Sequence, residues 1–406
     1  MNVLFIEPGF PANQREFVRA LCAIGANVIG IGERPYEWLD EETRIRLAGY
    51  EQIGSVTDEA ALEWAVRKSQ HSIWIDRLEA TIEAHILPAA HVRERTRIPG
   101  VSTRTAYLCR DKVAMKAVLR EAGVPTAASA GVASIEEARD FARAHGFPVI
   151  IKPRAAAGAA GTFHAGSPAE LDNVARTCGL ADGVPAAIEE FIEGHEAFYD
   201  TLTVEGRIRH DFISHYYPNV LEAMRTRWIS PQIVATNRMD APAYEEVREM
   251  GRRVIEALGI VTAATHMEWF IGPKGLKFSE IGCRPPGVGQ WDSYCAANEF
   301  DLYREWALAV CHDRVDRTPS RRYACGLVAL RPDRDGRITG YEGTHEIFDK
   351  YGHLVVGQHF PEPGTATQPV EAGYMANAWM RVRHEDYDAL RAILNEIGER
   401  IQVRAQ

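Results

Sequence analysis

The sequence predicts an α+β protein with an α/β amino-terminal domain, and three observations predict it. The first hundred residues alternate short apolar strands with amphipathic helices, the arrangement of a βαβ unit. From Thr105 the pattern becomes helices around a single apolar strand, Pro148 to Lys152. Beyond Ala186, strands joined by short turns and interrupted by one long amphipathic helix read as a mostly antiparallel sheet. At 406 residues the chain exceeds one comfortable hydrophobic core, so several units are expected. The changes of pattern place them at 1–104, 105–186, 187–315 and 316–406.

Val3 to Glu7 reads as the first strand, Gln14 to Ile24 as a helix and Ala26 to Ile31 as the second strand. The turn between them, Glu7-Pro8-Gly9-Phe10-Pro11, lacks the GxGxxG spacing that seats a pyrophosphate on a helix, so no dinucleotide is assigned there. Ala60 to Ser69 and Leu78 to Arg95 keep helical periodicity until Ile98-Pro99-Gly100 breaks it. Asp111 to Ala122 and Ile135 to His145 are the helices of the second unit. Ala187 to Phe191, Glu196 to Val204, Arg209 to Tyr217, His266 to Ile271 and Gly275 to Ile281 are the strands of the larger sheet, with Tyr244 to Leu258 the helix between them. Past Asp316, charged turns precede further short strands, and Glu385 to Arg400 is a closing helix.

Composition narrows the function classes. The net charge of −10 offers no bulk attraction to nucleic acid or to an anionic membrane, so any anion site must be built locally. Seven scattered cysteines form no CxxC pair, which signals neither a disulfide framework nor a zinc site and fits a reducing cytoplasm. The start, Met1-Asn2-Val3-Leu4-Phe5-Ile6, reads as a buried strand rather than a leader, and no apolar stretch reaches the ~20 residues that span a bilayer.

The chemistry gathers between Asp111 and Gly289. Lys112 opens a helix, and Lys152 ends the strand Val149-Ile150-Ile151-Lys152. Lysine is seldom buried unpaired, so each reads either as an ammonium with an anion or as a side chain snorkelling to solvent. Ala155-Ala156-Ala157-Gly158-Ala159-Ala160-Gly161 follows with almost no side chain. Its amides could approach phosphate oxygens as a mobile cover, or the stretch is a plain linker; it lacks the Gly-Lys-Ser/Thr ending of a P-loop. Ile188 to Glu196 is an apolar strand running into an acidic turn, which suits a nucleoside or a solvated hairpin. The segments His266 to Phe270 and Leu276 to Ile281, joined by Gly272-Pro273-Lys274-Gly275, set Glu268 and Glu280 across a hairpin, facing one way if the register allows. Two facing carboxylates call for a cation between them, and oxygen-only donors favour magnesium or manganese. His266 and Cys283 read as packing around those strands or as support behind their carboxylates.

In order and spacing these pieces resemble the ATP-grasp superfamily: Asp111-Lys112, Lys152 with its glycine-containing loop, Glu189 to Glu196, then Glu268, Glu280 and Arg284. The resemblance implies an ATP-grasp fold over the whole chain, with 1–104 the preceding domain, 105–186 the small subdomain, 187–315 the large subdomain and 316–406 a C-terminal α+β region. That region looks like its counterpart in the biotin-carboxylase-like and amino-acid-ligase-like branches. The resemblance further implies that Lys112, Lys152, Gly158, Gly161 and Thr162 hold the phosphates of ATP, that Glu189 and the backbone of Glu190, Phe191 and Ile192 meet adenine, and that Glu196 takes the ribose. Glu268 and Glu280 would bind Mg2+ or Mn2+, Arg284 would steady the transferring phosphoryl group or the acyl-phosphate oxygen, and Lys152 is the other catalytic residue. Where the family commonly has an asparagine two residues past the second glutamate, this chain has Gly282, which leaves a second metal's coordination open.

His215, Arg225 and Arg227 fall where the family's acceptor pocket is usually found, with Arg284 beside it, and one arginine could clamp a substrate carboxylate. The implied activity is an ADP-forming carboxylate-amine ligase working through an acyl phosphate on small molecules such as amino acids. The alternatives are a carboxylase-like or purine-pathway-like ligase using carboxyphosphate, and a worn ATP-binding regulatory protein. Neither nucleic acid nor membrane is an expected partner, and a homodimer is compatible with the sequence.

Overall fold

The computed structural model describes residues 1–155 and 161–406. The run Val3-Leu4-Phe5-Ile6 is buried in the strand Asn2–Ile6, one of the two inner strands of four parallel strands in the order Leu47–Gln52, Asn27–Gly32, Asn2–Ile6, Arg77–Glu79. Helices Gln14–Ala23, Glu59–Ser72 and Glu83–Thr96 belong to this unit. The reading of Leu78 to Arg95 as one helix is corrected: Arg77–Glu79 is an edge strand, Leu78 is buried beneath the helices, and the helix starts only at Glu83. Three residues are too short a run for periodicity to register.

A second sheet of four antiparallel strands runs Ser129–Val132, Ala186–Glu190, Val149–Pro153, Phe163–Ala165. Helices Ile135–His145 and Pro168–Thr177 pack together beside it. The strand expected at Ala187 to Phe191 therefore lies inside this small sheet and not in the large one, because its partners are Ser129–Val132 and Val149–Pro153. Alternation along a strand shows its faces and not its neighbours.

Residues Phe191 to Gly194 lead straight into an eight-stranded antiparallel sheet. Its order is Gly275–Gly282, Ala263–Gly272, His195–Val204, Arg207–Tyr217, Gln232–Ala235, Ala324–Leu330, Ala378–His384, Val355–His359. The C-terminal region thus extends the same sheet by three strands, backed by the helix Tyr387–Arg400. Helix Glu245–Leu258 buries Val247, Met250, Val254, Ile255 and Leu258 against the near end. Another core joins the amino-terminal unit to the large one, where Phe17 meets Trp306 at 5.0 Å, Tyr303 at 4.9 Å and Trp291 at 5.3 Å between ring centroids. No helix among the described residues is long and apolar enough to cross a membrane.

The first two strands of the large sheet form the expected hairpin. Gly272 pairs with Gly275 across Pro273-Lys274, and Gly275 has φ 78°, a left-handed conformation that glycine adopts without strain. Trp269 pairs with Phe278, but the next pair is Glu268 with Glu280, so Ser279 is an extra residue in a β-bulge. Phe278 and Ile281 both enter the core, while Ser279 and Glu280 between them both turn to the opposite face.

Candidate active site

A cavity of about 490 Å³ opens between the small sheet and the hairpin face. Its floor carries Glu268 and Glu280, its small-sheet wall carries Lys152, and Lys112 enters from the start of its helix. Asp111 sets that start: its carboxylate accepts from the amides of Val113 and Ala114 and also pairs with Arg154, whose Nε lies 3.0 Å away. Lys112 Nζ then lies 3.2 Å from Glu280 Oε2.

A residue missed in the sequence stands one turn further on. Lys116 is fully buried and its Nζ lies 2.7 Å from Glu189 Oε2, which also pairs with Lys152 Nζ at 3.0 Å. The signal was present, because Lys116 lies with Met115 and Leu119 on the apolar face of an amphipathic helix. Burial would push the Glu189 carboxyl up, but the Lys116 and Lys152 ammoniums outweigh it and hold it down at about 2. Burial drops Lys116 to about 8, with Glu189 restoring only part. For Lys152 burial again opposes the charge, yet Glu189 and Glu280 together raise its pKa. Burial also opposes charge on Glu280, and Lys112 and Lys152 keep it below the usual carboxylate range.

Glu189 therefore spends its carboxylate on two lysines rather than facing a base as expected. The amides of Glu190 and Phe191 donate to the carbonyls of Ala128 and Pro148 at 2.9 and 3.1 Å. Within the expected adenine-binding stretch, the Ile192 N–H is left without a backbone partner among the described residues. Phe191 and His164 meet edge to face at 5.1 Å on the cavity wall. Glu196 lines the cavity and accepts from the Val220 amide at 2.6 Å; burial and then the neighbouring Glu268 push its carboxyl up to about 8.

Glu268 has His266 behind it, whose Nδ1 lies 2.7 Å from Asp200 and whose Nε2 lies 3.6 Å from Glu268 Oε1. Burial disfavours the imidazolium, but the Asp200 carboxylate prevails and raises His266 to about 9. Asp200 also accepts from Tyr294 at 2.5 Å. This chain of buried polar groups makes His266 a support for Glu268 rather than plain packing, the second of the two roles read from the sequence. The donor set suits magnesium: Glu268 and Glu280 oppose each other in register, both are oxygen donors, and the described residues contain no group of three or more His, Cys, Asp or Glu that would form a closed cage. Two carboxylates leave the remaining positions to phosphate oxygens and water, as magnesium prefers.

The other expected residues divide. Thr162 lines the cavity and its carbonyl accepts from Arg225 Nη2 at 2.8 Å; Gly161 has φ 68°, and Gly158 lies outside the described residues. Arg225 borders the cavity, but Arg227 turns away to Asp335. Both sit in turns after the short helix Val220–Ala223. His215 is corrected too: it is buried outside the cavity with its Nδ1 2.9 Å from His195 and its Nε2 2.7 Å from the Tyr244 hydroxyl. Arg284 lines a second, much smaller cavity on the far side of Glu280, where Glu83 accepts from its Nε at 2.7 Å.

Residues 117–300 match the ATP-grasp domain family. An L-arginine-specific L-amino acid ligase of Bacillus subtilis is 29% identical over 220 residues, which span 53% of this chain and 52% of that enzyme, about half its length. A formate-dependent phosphoribosylglycinamide formyltransferase of Chlorobium phaeobacteroides is 22% identical over 386 residues, 90% of this chain and 94% of that protein. The crystal structure of an L-amino acid ligase from Bacillus licheniformis superposes with a TM-score of 0.79 at 15% identity, covering 100% of this chain and 98% of the other. With its two lysines, hinge strand and opposed glutamates around one cavity, the chain carries an ATP-grasp domain over residues 117–300 and has the ATP-grasp fold.

Proposed function

We propose that the protein joins a carboxylate to an amine at the expense of ATP, passing through an acyl phosphate and releasing ADP and phosphate. The observation that carries this reading is the opposition of Glu268 and Glu280 on the floor of a cavity that Lys112 and Lys152 also enter. Lys112 and Lys152 would hold the triphosphate oxygens, and Glu268 and Glu280 would hold magnesium, whose bound charge offsets that of the phosphates. Lys116, which does not line the cavity, anchors Glu189 so that Lys152 keeps its direction. Glu196 and the Ile192 amide are the groups best placed to meet the nucleoside. Arg284, in the small cavity on the other side of Glu280, would present a planar donor to the phosphoryl group as it transfers, and Arg225 borders the main cavity as a carboxylate clamp. The protein thus works by positioning and charge stabilisation around a substrate carboxylate that attacks the γ-phosphorus.

The near full-length match to a formate-dependent enzyme supports a second reading, in which the activated carboxylate is formate or bicarbonate. ADP release from magnesium-ATP separates the two. Stimulation by pooled L-amino acids supports the first reading, and stimulation by formate or bicarbonate with an amine pool supports the second. ATP binding with no turnover on any pool would overturn both in favour of a regulatory protein.

A further inference from the structure

Glu83 opens a helix of the amino-terminal unit, yet its carboxylate reaches the end of the hairpin strand. Oε2 accepts from Arg284 Nε at 2.7 Å, and Oε1 accepts from Arg110 Nη1 at 3.1 Å. Arg284 Nη1 donates to the Pro285 carbonyl at 2.9 Å, and its Nη2 makes no hydrogen bond among the described residues. Two of the three guanidinium nitrogens are therefore fixed, and the small cavity beside Glu280 and Lys112 lies against the same side chain. With two arginines and one carboxylate, the cluster keeps a positive excess there.

Gly282 explains how Glu83 reaches in. A Cβ on Gly282 would stand 2.8 Å from Glu83 Oε2 and 3.4 Å from Arg284 Nε. Gly282 is ordinary strand backbone, so space and not conformation calls for glycine. Any side chain at position 282 would displace the carboxylate that grips Arg284.

We propose that Glu83 is a positioning residue: the amino-terminal unit supplies it to hold Arg284 by its Nε edge, so that the Nη2 edge meets the transferring phosphoryl group, and glycine at 282 gives it room. This rests on the phosphoryl-transfer reading of the site. A guanidinium fixed in advance loses less freedom when it meets an anion, and a charge-assisted bond to the developing charge is worth most in a fixed direction.

The test compares binding of magnesium-ADP with binding of magnesium-ADP plus aluminium fluoride, a mimic of the transferring group, in wild type, Glu83→Gln, Glu83→Ala, Gly282→Ala and the Glu83→Ala/Gly282→Ala double variant. Thermal melts report folding for each. Glu83→Ala and Gly282→Ala are each expected to weaken the aluminium fluoride complex about tenfold or more while leaving magnesium-ADP affinity unchanged. The double variant should be no worse than Glu83→Ala, and Glu83→Gln, which keeps an acceptor oxygen, should recover part of the loss. If Glu83→Ala does not fold, Glu83→Gln and Gly282→Ala carry the comparison. Additive losses, equal loss of magnesium-ADP binding, or no loss at all overturns the role of Glu83 alone. Wild type that binds no magnesium-ADP overturns the ATP-site reading and this proposal with it.

Discussion

Glu280 is an ionised carboxylate beside two lysines on the floor of the cavity, so its charge can be removed with little change of shape. Glu280→Gln should stay folded and lose at least about a hundredfold in magnesium-dependent ADP formation, roughly 2.7–4 kcal/mol of transition-state stabilisation. A magnesium titration that matches wild type would remove the metal role from this residue. His215 supports a different expectation. Burial, and then the neighbouring His195 and Arg391, push its pKa down from 6.5 to about 3, so the unfolded chain takes up the proton first as pH falls. The neutral side chain costs nothing above pH 6.5, and between 6.5 and about 3 stability falls by up to about 1.4 kcal/mol per pH unit. Denaturant unfolding of wild type and His215→Phe between pH 7 and 4 should show a shallower acid slope in the variant; equal slopes would contradict the assignment. Lysine–carboxylate partnerships show where sequence reading stops. A lysine at a strand end announced the need for an anion, but nothing in the order of residues said that Glu189 would answer it, or that Lys116 would share the same oxygen.

The hairpin shows the same limit for an element. Read with a period of two from Leu276 and Phe278, Glu280 falls on the core side; the extra residue Ser279 reverses the count and turns it toward the cavity. The turn was legible because Gly272-Pro273-Lys274-Gly275 has the residues that such turns demand, whereas a bulge leaves no comparable signature. The order of strands was hidden as well, so Ala186–Glu190 could not be assigned to the small sheet from its own residues. The turn lies at the far end of the hairpin from the two glutamates, so damage there should cost stability before chemistry. Gly275→Val forces a β-branched residue into a left-handed conformation and should destabilise by about 1–2 kcal/mol, with ADP formation per folded molecule retained. Loss of turnover with an unchanged melting temperature would contradict this separation.

Across the whole molecule, the amino-terminal unit and the large unit share one aromatic core. Phe17→Ala should cost about 3–5 kcal/mol, because its ring is surrounded on three sides by Trp291, Tyr303 and Trp306. Calorimetry should show a lowered melting temperature in wild type's single transition, and a separate early transition for the amino-terminal unit would disprove the shared core. The eight-stranded sheet carries a further consequence, for anyone who would shorten the chain. The family match ends at residue 300, which invites truncation near the expected boundary at 315. Yet Gln232–Ala235 is a fully buried strand whose outer partner is Ala324–Leu330. A stop codon after 315 would strip that partner away and bare a row of unpaired amides and carbonyls, the template on which other chains assemble. The truncated polypeptide should be recovered from inclusion bodies, and a monodisperse, soluble 1–315 fragment on size-exclusion chromatography would show instead that the recognisable domain stands without its tail.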